Sequence, residues 1–81
     1  MQVRVLLFAA HREAVGQAEL LCHVPDDASA ESLYRSISND HVGLQPLLPF
    51  TSFAVNREIV DAGTRLKPGD EVAFLQPLSG G

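Results

Sequence analysis

Glu71-Val72-Ala73-Phe74-Leu75-Gln76-Pro77-Leu78-Ser79-Gly80-Gly81 reads as a strand that runs out into a thin lead. Val72 and Phe74 fall on one face of an extended chain, Ala73 and Leu75 on the other. Apolar residues on both faces suit a strand inside a sheet rather than at its edge. Pro77 has no N–H to donate and stops further pairing. Beyond it, Gly80 and Gly81 have no side chains, so the terminal carboxylate sits on a lead that could enter a slot any Cβ would block. A frayed tip or an expression scar would leave a similar ending. The functional alternative is that the carboxylate of Gly81 is the reactive group, carried on a flexible tail over residues 76–81.

Upstream of that strand, Lys67-Pro68-Gly69-Asp70 is a turn signal, with proline presetting φ and glycine accepting positive φ. Ser52 to Val55 and Glu58 to Val60 read as short strands turned at Asn56-Arg57, since asparagine tolerates a left-handed backbone. Leu44 to Phe50 is an apolar loop broken by Pro46 and Pro49, suited to covering the open end of a small core. Ala30, Leu33, Tyr34 and Ile37 recur at helical spacing, with Ser29 placed as the N-cap and Glu31 favoured in the first turn. No acidic or glutamine residue stands three after the cap, and the helix should end near Asp40. Gln2 to Ala9 is a first strand, with Val3, Val5, Leu7 and Ala9 on one face and Leu6 and Phe8 on the other. His11 to Gly16 is a short connection, and Gln17 to Val24 returns as an antiparallel partner with Leu20, Cys22 and Val24 inward.

The chain has 81 residues, enough for one modest core. A formal net charge of −4 with six scattered Lys and Arg argues against nucleic acid, whose phosphates call for clustered cations. Apolar runs are too short to span a bilayer, and no signal peptide is recognisable. The single cysteine, Cys22, cannot form an internal disulfide, as expected of a cytoplasmic protein.

One helix among several strands can cover only one face of the sheet. The first and last strands are the most apolar and should be central neighbours. That order predicts an α+β fold of the β-grasp type, a single domain over 1–81. A mixed sheet of four or five strands would carry one main helix on one face. Its core would contain Val3, Val5, Leu7, Leu20, Cys22, Val24, Leu33, Ile37, Phe53, Val55, Leu66, Val72 and Phe74. Leu6, Phe8, Ala73 and Leu75 then meet on the open face, and an apolar patch there calls for a partner.

The segments Val5 to Gly16, Ala54 to Val60 and Leu66 to Phe74, closed by Pro77-Leu78-Ser79-Gly80-Gly81, resemble the small, sulfur-carrying subunits of molybdopterin synthase, which are ubiquitin-like. The resemblance runs from end to end. Gln76 departs from it, standing where the family often has a second proline. What the resemblance implies is a carrier with no permanently bound cofactor. An E1-like adenylating enzyme uses ATP to convert the Gly81 carboxylate into an acyl-adenylate, and a sulfur donor then yields a thiocarboxylate. The tail enters the large synthase subunit, within a heterotetramer, and gives its sulfur to cyclic pyranopterin monophosphate. Pro77, Leu78 and Ser79 would contact partners, Gly80 would permit threading, and Leu6, Phe8, Ala73 and Leu75 would dock. The alternatives are a sulfur carrier for thiazole formation in the thiamine pathway and an unreactive β-grasp binding module.

A free-standing enzyme fits poorly. Cys22 alternates with core positions and reads as a small buried hydrophobe. His11, His23 and His41 lack ligand spacing, so no metal site is expected and all three read as surface residues. Asp26-Asp27 and Asp70-Glu71 read as turn residues rather than paired catalytic carboxylates. Phe8 is a candidate for either the core or the partner-facing surface.

Overall fold

The computed structural model describes residues 1–76. Five strands form one sheet: β1 (Gln2–Leu7), β2 (Glu19–His23), β3 (Ser52–Val55), β4 (Glu58–Val60) and β5 (Glu71–Leu75). Helices α1 (Ala9–Val15) and α2 (Ala30–Asp40) and a 3-10 segment, Val42–Phe50, complete the body. The strand order is β2-β1-β5-β3-β4, so β1 and β5 are central, as their double-faced apolarity predicts. They run parallel, with Leu6 beside Ala73 and Leu7 beside Phe74, while the other pairs are antiparallel. This is the β-grasp arrangement.

The inward faces of β1 and β5 bury Val3, Val5, Leu7, Val72 and Phe74 against Leu33, Tyr34 and Ile37 of α2. At the centre, the Tyr34 and Phe74 rings lie 4.7 Å apart and Phe53 meets both edge-on. Such tilted aromatic contacts add about 0.5–1.5 kcal/mol each beyond area burial. The Tyr34 hydroxyl donates to the Leu44 carbonyl at 2.6 Å, which satisfies a buried polar group and ties α2 to the 3-10 segment. Leu20, Cys22 and Val55, expected inside, are half-buried and pack against the rim of the core. β2 is an edge strand, covered only along its inner side.

Three expectations are corrected. Phe8 and Ala9 do not extend β1: Phe8 is still extended, but Ala9 takes φ +46 and turns the chain out of the sheet. A left-handed L-residue costs about 1–2 kcal/mol, so packing beyond the turn must hold it. The segment from His11 onward is not a simple connection but most of α1, closed by Gly16 at φ +85. His11 is wholly buried, not on the surface. At α2, Ser29 is the N-cap, and Ser32 supplies the reciprocal bond that a Glu or Gln usually makes, its Oγ accepting from Ser29 N at 2.8 Å. A serine at N3 is short but, folded back, completes the capping box.

Asp70 is a structural pin. Its carboxylate accepts from Lys67 N at 2.7 Å and from Asn56 Nδ2 at 3.0 Å. Asn56 in turn accepts from Glu71 N at 3.0 Å. One buried carboxylate thereby joins the β3–β4 turn to the turn that launches β5. Asp70→Ala leaves those donors unpaired and should cost about 1–3 kcal/mol. At about 4–8 °C per kcal/mol for a domain this small, a melting scan will read the loss. A melting point equal to the parent's would mean that water replaces the carboxylate without penalty.

Candidate functional site

Among the described residues no helix covers the outer face of the sheet, and its side chains line up in rows fixed by register. Leu6 lies beside Ala73, Ala73 beside Ala54, and Ala54 beside Ile59, which makes one row across four strands. In the next row toward the end of β5, Leu75 stands beside Ser52, with Phe8 just past the end of β1. The two alanines form a low floor between larger side chains. The result is a hollow of about 390 Å³ whose lining includes Leu6, Phe8, Ile59, Ala73 and Leu75. Small residues in the middle and large ones at the sides thus make a groove rather than a flat sheet.

The four residues expected to meet here, Leu6, Phe8, Ala73 and Leu75, do meet. Phe8 is 48% exposed and Ile59 70% exposed, so Phe8 belongs to the surface and not to the core. Ile59, Ala54, Arg57 and Glu71 also line the hollow and were not singled out from sequence. β4 is only three residues long, too short for alternation to assign Ile59 a face. The polar rim is ordered: Arg4 Nη2 meets Glu71 Oε2 at 2.6 Å. Arg57 stands at φ +73 in the Asn56-Arg57 hairpin turn and pairs with no carboxylate among the described residues. Successive left-handed residues are what a two-residue hairpin of the primed type demands.

Phe8 owes its position to the turn out of β1. As N-cap of α1 it makes no side-chain cap bond, but its carbonyl accepts from His11 N at 3.0 Å and Arg12 N at 3.3 Å. The root of the tail lies between Phe8 and the start of β3, because Ser52 pairs with Leu75. Pro77, Leu78, Ser79, Gly80 and Gly81, named from sequence as the threading and reactive residues, lie outside the described residues.

Among the described residues no cluster of His, Cys, Asp or Glu could hold a metal ion, and no helix is long and apolar enough to cross a membrane. Cys22 is half-buried, and burial pushes its thiol pKa up, away from the thiolate a nucleophile needs. What the described body presents is a rimmed apolar groove at the end of the sheet where β5 stops.

Comparison with known proteins agrees with this geometry. The model of the ThiS family matches residues 5–81. The chain is 41% identical to the molybdopterin synthase sulfur carrier subunit of Chlamydomonas reinhardtii, covering all of both chains. It is 39% identical to the subunit of that name from Homo sapiens, covering 99% of this chain and 94% of the human one. Among solved structures it matches a chain from the complex of subunits 1 and 2 of the molybdopterin-converting factor of Helicobacter pylori, at 28% identity and a TM-score of 0.70, over the whole of both chains. With a family model spanning almost its whole length and relatives aligned end to end, this chain belongs to the ThiS family of ubiquitin-like β-grasp proteins.

Proposed function

We propose that this chain is the sulfur carrier subunit of a molybdopterin synthase. The observation that carries the reading is the apolar groove at the root of the tail, in a chain alignable end to end with carriers of that name. A carboxylate is a poor electrophile. The adenylating enzyme has the Gly81 carboxylate attack the α-phosphate of ATP, releasing pyrophosphate and leaving an acyl-adenylate with a good leaving group. Sulfur at the oxidation level of sulfide, delivered by the sulfur donor, then displaces AMP and leaves a thiocarboxylate. In the large subunit the thiocarboxylate sulfur takes the place of an oxygen substituent on cyclic pyranopterin monophosphate, water then cleaves the acyl carbon–sulfur bond, and the carrier returns as carboxylate. Two such deliveries build a dithiolene.

In this scheme the folded body supplies binding and placement. The groove takes an apolar ridge from each partner in turn, with Arg57 and the Arg4–Glu71 pair setting orientation at its edge. Apolar anchors at the centre of an interface carry most of its energy, and the charged rim steers approach. The names of the relatives favour this product over the thiazole of the thiamine pathway. The test is an intact mass after incubation with the adenylating enzyme, ATP and a sulfur donor, followed by the large subunit and pterin precursor. A gain equal to one oxygen exchanged for sulfur, lost again in the second step, is the expected result. An unchanged mass favours the unreactive binding module.

A further inference from the structure

We propose that His11 is the positioning residue of the docking surface, holding Phe8 in its docking attitude by fastening the first turn of α1 to the end of the sheet. The inference rests on the docking role proposed for Phe8. α1 has seven residues, too few to persist unsupported, and His11 is its one fully buried side chain. The carbonyl of Phe8 is bonded by His11 N and Arg12 N, so the turn that aims Phe8 is the turn His11 anchors. On the other side, the imidazole reaches Thr51, with Nε2 and Oγ1 2.8 Å apart. The Thr51 hydroxyl donates to the Leu47 carbonyl at 2.7 Å, so it accepts here, and Nε2 carries the hydrogen. Thr51 precedes Ser52, the partner of Leu75. One side chain therefore joins Phe8 to the strand end from which the tail departs.

The rest of the site explains why this fastening is sensitive to acid. The ring lies edge-on to Tyr34 of α2 at 6.0 Å and to Phe74 of β5 at 6.2 Å. Among the described residues its buried Nδ1 makes no well-formed hydrogen bond, although the Phe8 backbone lies near enough to pull weakly on the ring. The groups around it are neutral. Tyr34 is a phenol whose pKa burial raises, Thr51 is a hydroxyl, Phe74 is apolar, and the charged neighbours Arg12 and Glu13 on α1 point to water as exposed residues. No ion pair among the described residues includes His11. Burial accordingly holds the His11 pKa below its ordinary 6.5, against a weaker opposing pull from the backbone of Phe8. With α1 lifted away, the imidazole would titrate near the ordinary value. The closed form is thus fully favoured above that value and loses ground as pH falls from it to the lowered one, because the open form takes the proton first.

The experiment uses the full chain as wild type, His11→Gln and His11→Ala. A glutamine amide can still donate to Thr51 but does not titrate. Affinity for the purified large subunit and amide exchange across α1, including the Gly16 N–H, are followed from about pH 7.5 to about pH 5, either side of the histidine range. At the upper pH, His11→Ala should bind about tenfold more weakly, as when the competent conformer falls to a tenth of the population, and His11→Gln should recover most of that loss. In wild type the opening constant of α1 should rise by up to about tenfold per pH unit below 6.5, while in His11→Gln it stays level. Full-strength binding by His11→Ala, or one shared pH profile for wild type and His11→Gln, would overturn the proposal. Should His11→Ala fail to fold, the comparison of wild type with His11→Gln decides. Absence of binding by every form at every pH would instead sink the docking role of Phe8, with exchange still reporting on the hold over α1.

Discussion

Deleting Gly81, or adding one residue after it, is expected to abolish sulfur transfer while the melting temperature stays within a few degrees of the parent. The described residues form a core that runs from Val3 to Phe74, with β5 already inside it. A change at the chain terminus that leaves this core whole is expected to alter stability by about 0.5 kcal/mol or less. Its effect on reactivity is of another order. One residue more or less moves the terminal carbonyl carbon by up to about 3.3–3.6 Å along an extended lead. A misplacement of about 1 Å can already cost about a hundredfold in rate. Gly80→Val gives a second view of the same constraint, keeping the length and adding a side chain where a slot has to close. Transfer that continues at the parent rate in the extended chain would refute delivery through a slot of fixed depth. The assay is single-turnover consumption of a preformed thiocarboxylate by the large subunit, so that activation does not confuse the result.

The second large effect is expected at Phe8. Replacing it with aspartate should cost at least about 2 kcal/mol of docking free energy, as for a central aromatic anchor, or close to thirtyfold in dissociation constant. Folding should be untouched or slightly improved. Phe8 is the N-cap of α1 and makes no side-chain cap bond there. Aspartate is among the best residues at an N-cap, accepting from first-turn N–H groups and facing the positive end of the helix dipole. The same substitution thus strengthens the helix start while placing a charge in the groove. Isothermal titration against the large subunit, paired with thermal unfolding of the carrier alone, separates the two. A collapse in melting temperature would place Phe8 among the residues that hold the body together.

Much of this architecture was legible in the chain. Ser52–Val55 and Glu58–Val60 could be bounded to the residue, because a left-handed pair sits between two short apolar runs. The central position of β1 and β5 followed from apolarity on both faces, and the apolar patch of Leu6, Phe8, Ala73 and Leu75 from reading which of those faces α2 could not cover. What stayed hidden has physical causes. α1 carries its buried contact on a histidine, so no apolar stripe announces it, and its entry depends on an alanine in a backbone region that alanine rarely occupies. Burial of His11 is created by Tyr34, Thr51 and Phe74, none of them near it in sequence. Ile59 belongs to a strand too brief for a period to show. Local pattern reports which residues want cover, but which distant residues supply it is settled only in three dimensions.

The parallel pairing of β1 with β5 also bears on how the molecule comes into being. The Arg4–Glu71 contact between them closes a span of 67 residues. Ends so far apart must find each other before the middle of the sheet exists, which makes for high contact order and slow, late folding. On the ribosome, an unfinished chain lacking β5 can pair β1 with β2 alone and is without the Ala73 half of the groove floor, and it remains prey to proteases. A copy able to dock has therefore already drawn in its final strand.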